Sequence, residues 1–323
     1  MKALAVQTQR AVGHLLCSPI FQPSGKKLLA KGHQISEEDA RLLNLEGHSE
    51  VTVAVLDENE VSESEAALGI ASEAACGAME IRLAAGGRAN LFATENCCLL
   101  LDEDLLRQLN SSGSVTIATM PNFSFAPKGQ RLASVKTSPF AMPKQDYERA
   151  LGLVKAQGPI LQARPIEEPT VAVLYSDPRE GERARSLFSG IMRTRLGRFG
   201  TNAAFVLTAV EEVTAVARAL DHLLRARPSI VLMASTSAPA GPEDVIGQAM
   251  QKVGCDVESF LAPVEPGNLL LLSYAGDVPV VAAPGCFRSP KPNVTDLVLP
   301  PLLANYRLSA AEISSLGHGG LLI

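Results

Sequence analysis

The feature that most constrains this chain is the regular alternation of short apolar strands and helices that begins near residue 170. The predicted elements are, in order, strand 171–174, helix 181–196, strand 203–207, helix 210–225, strand 230–234 and helix 244–253. Strands that alternate with helices of this length are typical of βαβ units. The sequence therefore predicts an α/β fold with a mainly parallel sheet in this part of the chain.

The residues before 170 show shorter β-type runs with few helices between them. We predict a β-rich N-terminal domain over 1–85, a second β-rich region with a connecting helix over 86–168, and the α/β domain over 169–323. Ser36 is predicted to cap a helix over 37–45. Further predicted elements are a strand and turn over 12–19, a hairpin limb over 28–35, a strand over 51–56, a helix over 63–75 ended by Gly77, strands over 99–101, 114–119 and 130–136, and a helix over 143–157.

The composition excludes several classes of function. Charged residues make up 20% of the 323 residues and the net charge is −5, so no basic field attracts nucleic acid or an acidic membrane surface. Aromatic residues make up 4%, without tryptophan, which disfavours stacking on single-stranded nucleic acid. No secretory signal and no apolar run of bilayer length occur. We expect a cytoplasmic protein that acts without nucleic acid and without a membrane.

The six cysteines form no C-x-x-C pair, and Cys97 and Cys98 are adjacent, which is poor geometry for a metal site or a simple disulfide. We expect free thiols in a reducing compartment. The five histidines are dispersed, and none pairs at metal-ligand spacing.

Three polar loops interrupt the apolar runs between residues 230 and 296. The first, 235–242, follows strand 230–234 and leads into Glu243 and Asp244 at the head of a helix. The others are 265–268, which precedes a predicted strand over 269–273, and 284–291, which follows a predicted strand over 278–282. Small polar residues and glycines at the carboxyl edge of an open α/β sheet are suited to anionic ligands.

These loops resemble the molybdopterin-binding domain of molybdopterin adenylyltransferases and molybdopterin molybdotransferases. The resemblance covers Thr170 to about Asn305 and implies a three-layer α/β/α domain. Over the full chain, the segments 86–92, 264–270 and 317–322 resemble the molybdopterin-binding half of bacterial proteins fused to a cytidylyltransferase. The Gly-rich nucleotide loop of the cytidylyltransferase half is absent from this sequence, so we do not assign cytidylyl transfer to it.

The resemblance implies a set of ligand-binding residues, which are Ser235, Thr236, Ser237, Gly241, Pro266, Gly267, Asn268, Pro284, Gly285, Cys286, Arg288 and Ser289. It implies Asp244 as the catalytic residue, and Asp244 with Glu243 as carboxylates for Mg²⁺. Lys291 would add positive charge beside Arg288. Arg288 and a helix N-terminus are also expected to lower the pKa of the Cys286 thiol. Weaker candidates are Asp177, Arg179, Arg88 and Asn90.

Three departures from the family pattern favour binding over catalysis. Ser235-Thr236-Ser237 stands where the related enzymes usually carry two glycines, Cys286 stands for an asparagine, and Asn268 stands for a basic residue. Each change removes backbone freedom or charge where a phosphate or molybdate would bind.

The local alternatives are structural: a polar turn at 235–237, a helix cap at Asp244, and solvated charges at Arg288 and Lys291. The leading hypothesis is a protein that binds molybdopterin or the molybdenum cofactor and acts in its biosynthesis or delivery, with molybdate insertion as a further step. The alternatives are a non-catalytic scaffold and a nucleotide-dependent hydrolase of the competence-damage-inducible type. The resemblance also implies a homodimer, and a cytidylyltransferase or a molybdoenzyme as partner.

Overall fold

The structure, a computed structural model, describes residues 1–84 and 86–322. The chain forms two compact units. The first unit comprises Met1–Thr94, Leu99–Asn122 and Lys128–Ala163, and the second unit comprises Glu95–Cys98, Phe123–Pro127 and Arg164–Ile323. The division into segments 1–85, 86–168 and 169–323 stays a prediction.

The helices, in chain order, are α1 Glu37–Leu45, α2 Glu63–Ala74, α3 Glu103–Asn110, α4 Lys144–Gln157, α5 Gly181–Arg198, α6 Val213–Arg225, α7 Val245–Lys252, α8 Val294–Leu303 and α9 Ala310–Ser315. Two short 3₁₀ helices cover Thr8–Ala11 and Gly285–Arg288. The strands are β1 Lys2–Gln7, β2 Leu15–Leu16, β3 Ile20–Phe21, β4 Lys27–Leu29, β5 Glu50–Val55, β6 Glu60–Ser62, β7 Ala75–Gly77, β8 Met79–Ala84, β9 Arg88–Ala93, β10 Cys97–Leu101, β11 Val115–Thr119, β12 Ser124–Ala126, β13 Arg131–Thr137, β14 Ala141–Pro143, β15 Leu161–Pro165, β16 Val171–Asp177, β17 Ala203–Val210, β18 Ile230–Ser235, β19 Asp256–Phe260, β20 Leu271–Ala275 and β21 Val278–Ala282.

The first unit is built around antiparallel sheets. One has the strand order β1-β5-β2 and another has the order β11-β13-β9-β8. Helix α2 packs against β9 and β13, and most of its buried residues are alanines, among them the fully buried Ala67, Ala71 and Ala74. Small side chains on this face allow the helix to approach the sheet closely.

The predicted cap of α1 is confirmed in its atomic detail. Ser36 Oγ accepts a hydrogen bond from the Asp39 backbone N–H at 3.1 Å, and Asp39 Oδ2 accepts one from the Ser36 N–H at 2.9 Å. This reciprocal pair satisfies two backbone donors that would otherwise lack partners at the helix start.

The second unit is built on a six-stranded sheet with the order β17-β16-β18-β21-β20-β19. The pairs β16–β17, β16–β18 and β18–β21 are parallel, whereas β20 runs antiparallel to both of its neighbours. The predicted mainly parallel sheet is therefore present. All seven residues of the interior strand β16 are buried, as expected for a strand covered on both faces.

Helices lie against both faces of this sheet. Leu174 belongs to the apolar cluster formed with α6 and α7, which contains Leu220 and Met250. The next residue, Tyr175, points to the opposite face because successive side chains of a strand alternate. Its ring stacks on Phe188 of α5, with the two ring centroids 6.5 Å apart. Helix α5 therefore covers the face opposite to α6 and α7.

Several predicted boundaries are wrong. Within the predicted strand and turn over 12–19, the strand comprises only β2, and the hairpin limb predicted over 28–35 ends at Leu29 as β4. The helix over 63–75 ends at Ala74, because Ala75–Gly77 pairs with β15 as the short parallel strand β7. Strand pairing over a long sequence separation decided this last boundary, and local propensity does not report such pairing.

The second unit also differs from prediction at three points. The sequence prediction missed β19, whose residues mix acidic and apolar side chains (Asp-Val-Glu-Ser-Phe) at the edge of the sheet. The strand predicted over 269–273 is shifted to β20, Leu271–Ala275. Strand β17 continues to Val210, and α6 begins at Val213 instead of Val210. The sequence did not locate this boundary, because Thr208, Ala209 and Val210 suit either a strand or a helix.

The α6 face of the sheet gives a direct stability prediction. We expect Leu220→Ala to lower the free energy of unfolding by about 2–5 kcal/mol, since Leu220 is fully buried and its loss leaves a cavity. The matched control is Leu187→Ala, because Leu187 is 50% exposed, and it should change stability by less than about 0.5 kcal/mol. Urea denaturation of both variants measures the difference, and equal losses would contradict the packing described here.

Candidate functional site

The polar residues of the second unit gather at the carboxyl edge of the parallel strands. Strand β16 ends in Ser176 and Asp177, β18 ends in Ser235, and Glu211 directly follows β17. The register places Ser176 beside Ser235 and Asp177 beside Val210, so these strand ends lie at one level. This edge is where open α/β sheets bind ligands.

The loop 265–268 reaches the same edge for a topological reason. It precedes β20, which runs antiparallel to β21, with Leu271 paired to Ala282. The beginning of an antiparallel strand lies beside the end of its neighbour. The sequence pattern of three loops is therefore gathered at one edge, although one loop precedes its strand and two loops follow theirs.

Asp177 organises the loop after β16. Thr236 Oγ1 donates to Asp177 Oδ2 at 2.6 Å, and the backbone N–H groups of Arg179 and Glu180 donate to Oδ1 at 2.9 and 3.1 Å. Arg183 Nη1 lies 3.6 Å from Oδ2. These contacts, the Thr236 hydrogen bond foremost, lower the pKa of Asp177 from its ordinary 3.8 to about 2. Asp177 is therefore ionised and ties the ends of β16 and β18 together.

Glu211 is a second carboxylate of this edge, and the sequence reasoning missed it. Its carboxylate accepts hydrogen bonds from the Ser235 hydroxyl and from Ser176 Oγ, the latter at 3.4 Å. Ser235 Oγ in turn accepts the Ser237 backbone N–H at 3.0 Å. The sequence prediction began a helix at Val210 and therefore included Glu211 in it. In the structure, Glu211 is the first residue after β17.

The first and third predicted loops contact each other directly. The guanidinium of Arg288 donates to the backbone carbonyl of Thr236. A Cβ on Gly285 would lie 3.4 Å from the Ala238 methyl group, so the two loops are in van der Waals contact there. Ser237 and Arg288 are both exposed at this junction.

The second loop is fixed against the start of α8. The Val294 backbone N–H donates to the Pro266 carbonyl at 3.2 Å. Gly267 has a φ of 132°, and a Cβ at this position would lie 2.9 Å from the Val294 nitrogen, so both conformation and space require glycine. Asn268 is exposed, and its backbone carbonyl accepts the Ala262 N–H at 2.9 Å.

A buried guanidinium holds the third loop in place. Arg195 of α5 is 1% exposed and pairs with Asp296 in the first turn of α8. Its Nη2 also donates to the carbonyls of Ser289 and Lys291, at 2.6 and 3.0 Å. Sequence reasoning missed Arg195 because it lies in the last turn of α5 among several other arginines with no distinguishing signal.

Asp244 acts as the N-cap of α7. Its Oδ1 accepts the Gly247 N–H at 2.8 Å, and its Oδ2 accepts the N–H groups of Ala240 and Gly241, the latter at 3.3 Å. Both carboxylate oxygens are thus committed to backbone donors. Glu243 beside it is exposed. This geometry is the helix-cap alternative, and the catalytic role of Asp244 stays a prediction.

The residues proposed for Mg²⁺ fit that ion poorly. Mg²⁺ demands near-octahedral oxygen geometry, and Asp244 already accepts three backbone N–H groups, which leaves Glu243 as the one carboxylate with both oxygens available. Within residues 1–84 and 86–322, no group of three or more His, Cys, Asp or Glu side chains is arranged to hold a metal ion.

The expectation for Cys286 is wrong. Burial raises the pKa of its thiol, and the guanidinium that opposes this effect is Arg195, not Arg288. The residue is half-buried in the 3₁₀ turn that follows Pro284. A protonated thiol is a weak nucleophile and a weak metal ligand.

The remaining candidates are dispersed. Lys291 is exposed, and its N–H donates to Ser289 Oγ at 3.2 Å. Arg88 and Asn90 lie on β9 in the first unit, where Asn90 accepts a hydrogen bond from Ser134 at 2.6 Å. In the part of the chain that the structure describes, no helix is long and apolar enough to span a membrane.

Comparison with known proteins gives structural neighbours only. No protein-family model matches the chain, and no curated protein matches it. It is similar to a molybdopterin biosynthesis MoeA protein from Pyrococcus horikoshii over 97% of this chain and 77% of that one, at 10% identity and a TM-score of 0.33. A molybdenum cofactor biosynthesis protein from Pyrococcus furiosus matches over 94% and 64%, at 12% identity and a TM-score of 0.23. A second MoeA structure from Pyrococcus horikoshii OT3 matches over 94% and 74%, at 10% identity and a TM-score of 0.26. Similarity at this level does not establish a family for the chain.

The low pKa of Asp177 predicts an acid-sensitive contribution to stability. Because its folded-state pKa lies below the ordinary value, the ionised carboxylate stabilises the fold above about pH 4 and loses this effect as the pH falls towards about 2. The stability difference between the native chain and Asp177→Asn should therefore shrink between about pH 4 and pH 2. Urea denaturation at several pH values measures it.

Asp277→Asn serves as the matched control for this titration, because Asp277 is exposed in the turn between β20 and β21. Its stability difference from the native chain should vary less over the same range. A constant difference for Asp177→Asn from pH 6 to pH 2 would contradict the assignment.

The cap geometry of Asp244 predicts a separable effect on stability. Asp244→Ala should lower the free energy of unfolding by about 0.5–2 kcal/mol, because α7 loses its N-cap. Asp244→Asn retains an acceptor for the Gly247 N–H and should recover most of that loss. Chemical denaturation of the two variants checks this, and a native-like Asp244→Ala would remove the cap assignment.

Proposed function

We propose that the second unit binds a molybdopterin-type pterin phosphate at the carboxyl edge of its sheet, and that the protein acts in molybdenum cofactor biosynthesis or delivery. The observation that carries this proposal is the gathering of the loops 235–242, 265–268 and 284–291 at one edge. Arg288 joins the first and third loops, and the Pro266 carbonyl joins the second to α8. Loops from separate strands that meet in this way are the usual ligand site of open α/β sheets.

The anionic part of such a ligand has suitable partners here. Arg288 is exposed and uses one nitrogen on the Thr236 carbonyl, so other N–H groups of its guanidinium remain for a phosphate oxygen. Ser237 presents an exposed hydroxyl beside it, and Lys291 adds a second positive charge. Charge-assisted hydrogen bonds from arginine suit phosphate. Such local positive charge is needed here, because a net charge of −5 on the chain by itself disfavours an anionic ligand.

The chemistry of the same residues favours binding over catalysis. Asp244 is committed to backbone donors, Asp177 is buried and ionised, and burial raises the pKa of Cys286. None of the three is poised as a nucleophile or a general base near neutral pH. Molybdate insertion is therefore the further step of the proposal and binding is its core. A homodimer, and a cytidylyltransferase or molybdoenzyme as recipient, follow from the sequence resemblance alone.

A non-catalytic scaffold is the second candidate, and a specific observation favours it. The hydroxyl of Ser235 donates to Glu211 and that of Thr236 donates to Asp177, so two of the three residues at 235–237 serve the protein itself. A scaffold that lost the site would retain this internal network and bind no pterin. Pterin fluorescence after acid oxidation of the purified protein distinguishes the two, because only a binding protein carries the ligand through purification.

The binding proposal predicts the effect of removing one charge. In isothermal titration with molybdopterin, the native chain should bind at micromolar concentrations. Arg288→Gln should weaken binding about ten- to a hundred-fold, the range expected for a lost hydrogen bond to a charged group. Arg218→Gln is the matched control, because Arg218 is an exposed arginine of α6, outside the three loops.

The absence of a heat of binding at tens of micromolar molybdopterin would contradict the proposal. Equal losses in Arg288→Gln and Arg218→Gln would show a general charge effect and remove Arg288 from the site. Asp244→Ala separates the two roles of that residue: lower stability with unchanged affinity would leave only the helix cap.

A further inference from the structure

A cavity of the second unit lies between α5 and β17. It has a volume of about 240 Å³ and is lined on one side by Arg185, Ser189 and Arg193. Ala203, the first residue of β17, also lines it. The cavity extends from Ala203 to Tyr175, which lies two residues before Asp177 on β16. None of its lining residues belongs to the loops 235–242, 265–268 and 284–291, so the cavity is distinct from these loops.

Three polar residues of α5 line the cavity at a regular spacing. Arg185, Ser189 and Arg193 are four residues apart on α5, so they share one face of the helix. The two arginine Cα atoms are about 12 Å apart along the axis, with Ser189 midway. Arginine side chains are long enough to span that distance from both ends, so both guanidinium groups can reach an anion over Ser189 once Arg185 turns from Glu182, which lies 3.7 Å from its Nη1.

Tyr175 supplies an independent observation from the sheet side. Its side chain lines the cavity although the residue is only 2% exposed. Burial raises its pKa to about 12, while the charges of Arg185 and Arg193 oppose this rise, so the hydroxyl lies within the field of both guanidinium groups. The hydroxyl is not among the buried polar atoms without a partner in the described residues, because it is open to the cavity. A ligand in the cavity can therefore accept a hydrogen bond from it.

Carboxylates neutralise the positive charge of Arg185 and Arg193 only weakly. Arg185 lies 3.7 Å from Glu182 in an exposed pair, and no carboxylate of the described residues pairs with Arg193. The rest of the lining is mostly apolar, with Met192 and Leu196 of α5 and Val206 of β17, and it includes one further polar residue, Asn202. A ligand that fits would carry a strongly anionic group at one end and a compact apolar body at the other.

The geometry points to a binding site for a small phosphate monoester. Two guanidinium groups match the two negative charges of a phosphate monoester, and the hydroxyls of Ser189 and Tyr175 can donate to further oxygens. A carboxylate has one charge and two oxygens, so it would leave part of this set unused. The volume lies below the roughly 300–1,000 Å³ of pockets for drug-sized ligands, which sets the size of the molecule.

Titration calorimetry of the full chain with phenyl phosphate tests the site, with inorganic phosphate and benzoate as separate arms. We expect phenyl phosphate to bind more tightly than inorganic phosphate, which lacks the apolar body, and more tightly than benzoate, which lacks the second charge. Arg193→Gln should weaken the binding of phenyl phosphate about ten- to a hundred-fold, and Tyr175→Phe about three- to ten-fold. The phenylalanine retains the ring that stacks on Phe188, so this variant keeps its packing.

Arg218→Gln is the matched control and should bind phenyl phosphate as the native chain does. The proposal is overturned by the absence of binding at millimolar phenyl phosphate, by equal affinity for benzoate, or by equal losses in Arg193→Gln and Arg218→Gln. Loss of phenyl phosphate binding in Arg288→Gln with native affinity in Arg193→Gln would also overturn it, because the phosphate would then occupy the carboxyl edge. That last result would leave the proposed pterin site intact, so the two proposals fail separately.

Discussion

The parallel register of β16 with its two neighbours is the constraint on which the second unit depends. It sets Ser176 level with Ser235 and brings Asp177 level with the end of β17. Slipping β16 by one residue would exchange the side chains that face α5 with those that face α6 and α7, so the packing of Tyr175 on Phe188 and of Leu174 in the opposite cluster holds the register. The hydrogen bonds of Asp177 and Glu211 at the strand ends are a consequence of that packing, and the loops start from positions that the core determines.

The depth of Arg195 is the second feature that shapes the site. A guanidinium that is 1% exposed is stable only when charge and hydrogen-bond partners surround it, and Asp296 with two loop carbonyls provides them. Some polar groups of this cluster are still without hydrogen-bond partners, namely Arg195 Nε, Asn293 Nδ2, Thr295 Oγ1 and Asp296 Oδ1. Arg195 thus holds the third loop through the carbonyls of Ser289 and Lys291, while Arg288 of the same loop stays exposed to solvent.

The sequence predicted the parts of the fold that local pattern controls. The βαβ alternation gave the parallel strands and their helices, and the Ser36 cap was readable because its partner lies three residues away. It also located three loops that the structure gathers at one edge. The short strands β7 and β19 were not predictable, because pairing partners distant in sequence define them. Glu211 and Arg195 were missed for the same reason, since their partners lie 24 and 101 residues away.

The reversal of direction at β20 has a practical consequence. Strands β20 and β21 are joined by a two-residue turn at Gly276 and Asp277, and antiparallel pairing places this turn at the amino edge of the sheet. Both residues of the turn are exposed. A fluorophore, an affinity handle or a surface tether attached there stands a full strand length from all three loops. This hairpin is therefore the natural position from which to immobilise or label the protein while its carboxyl edge stays open to solvent.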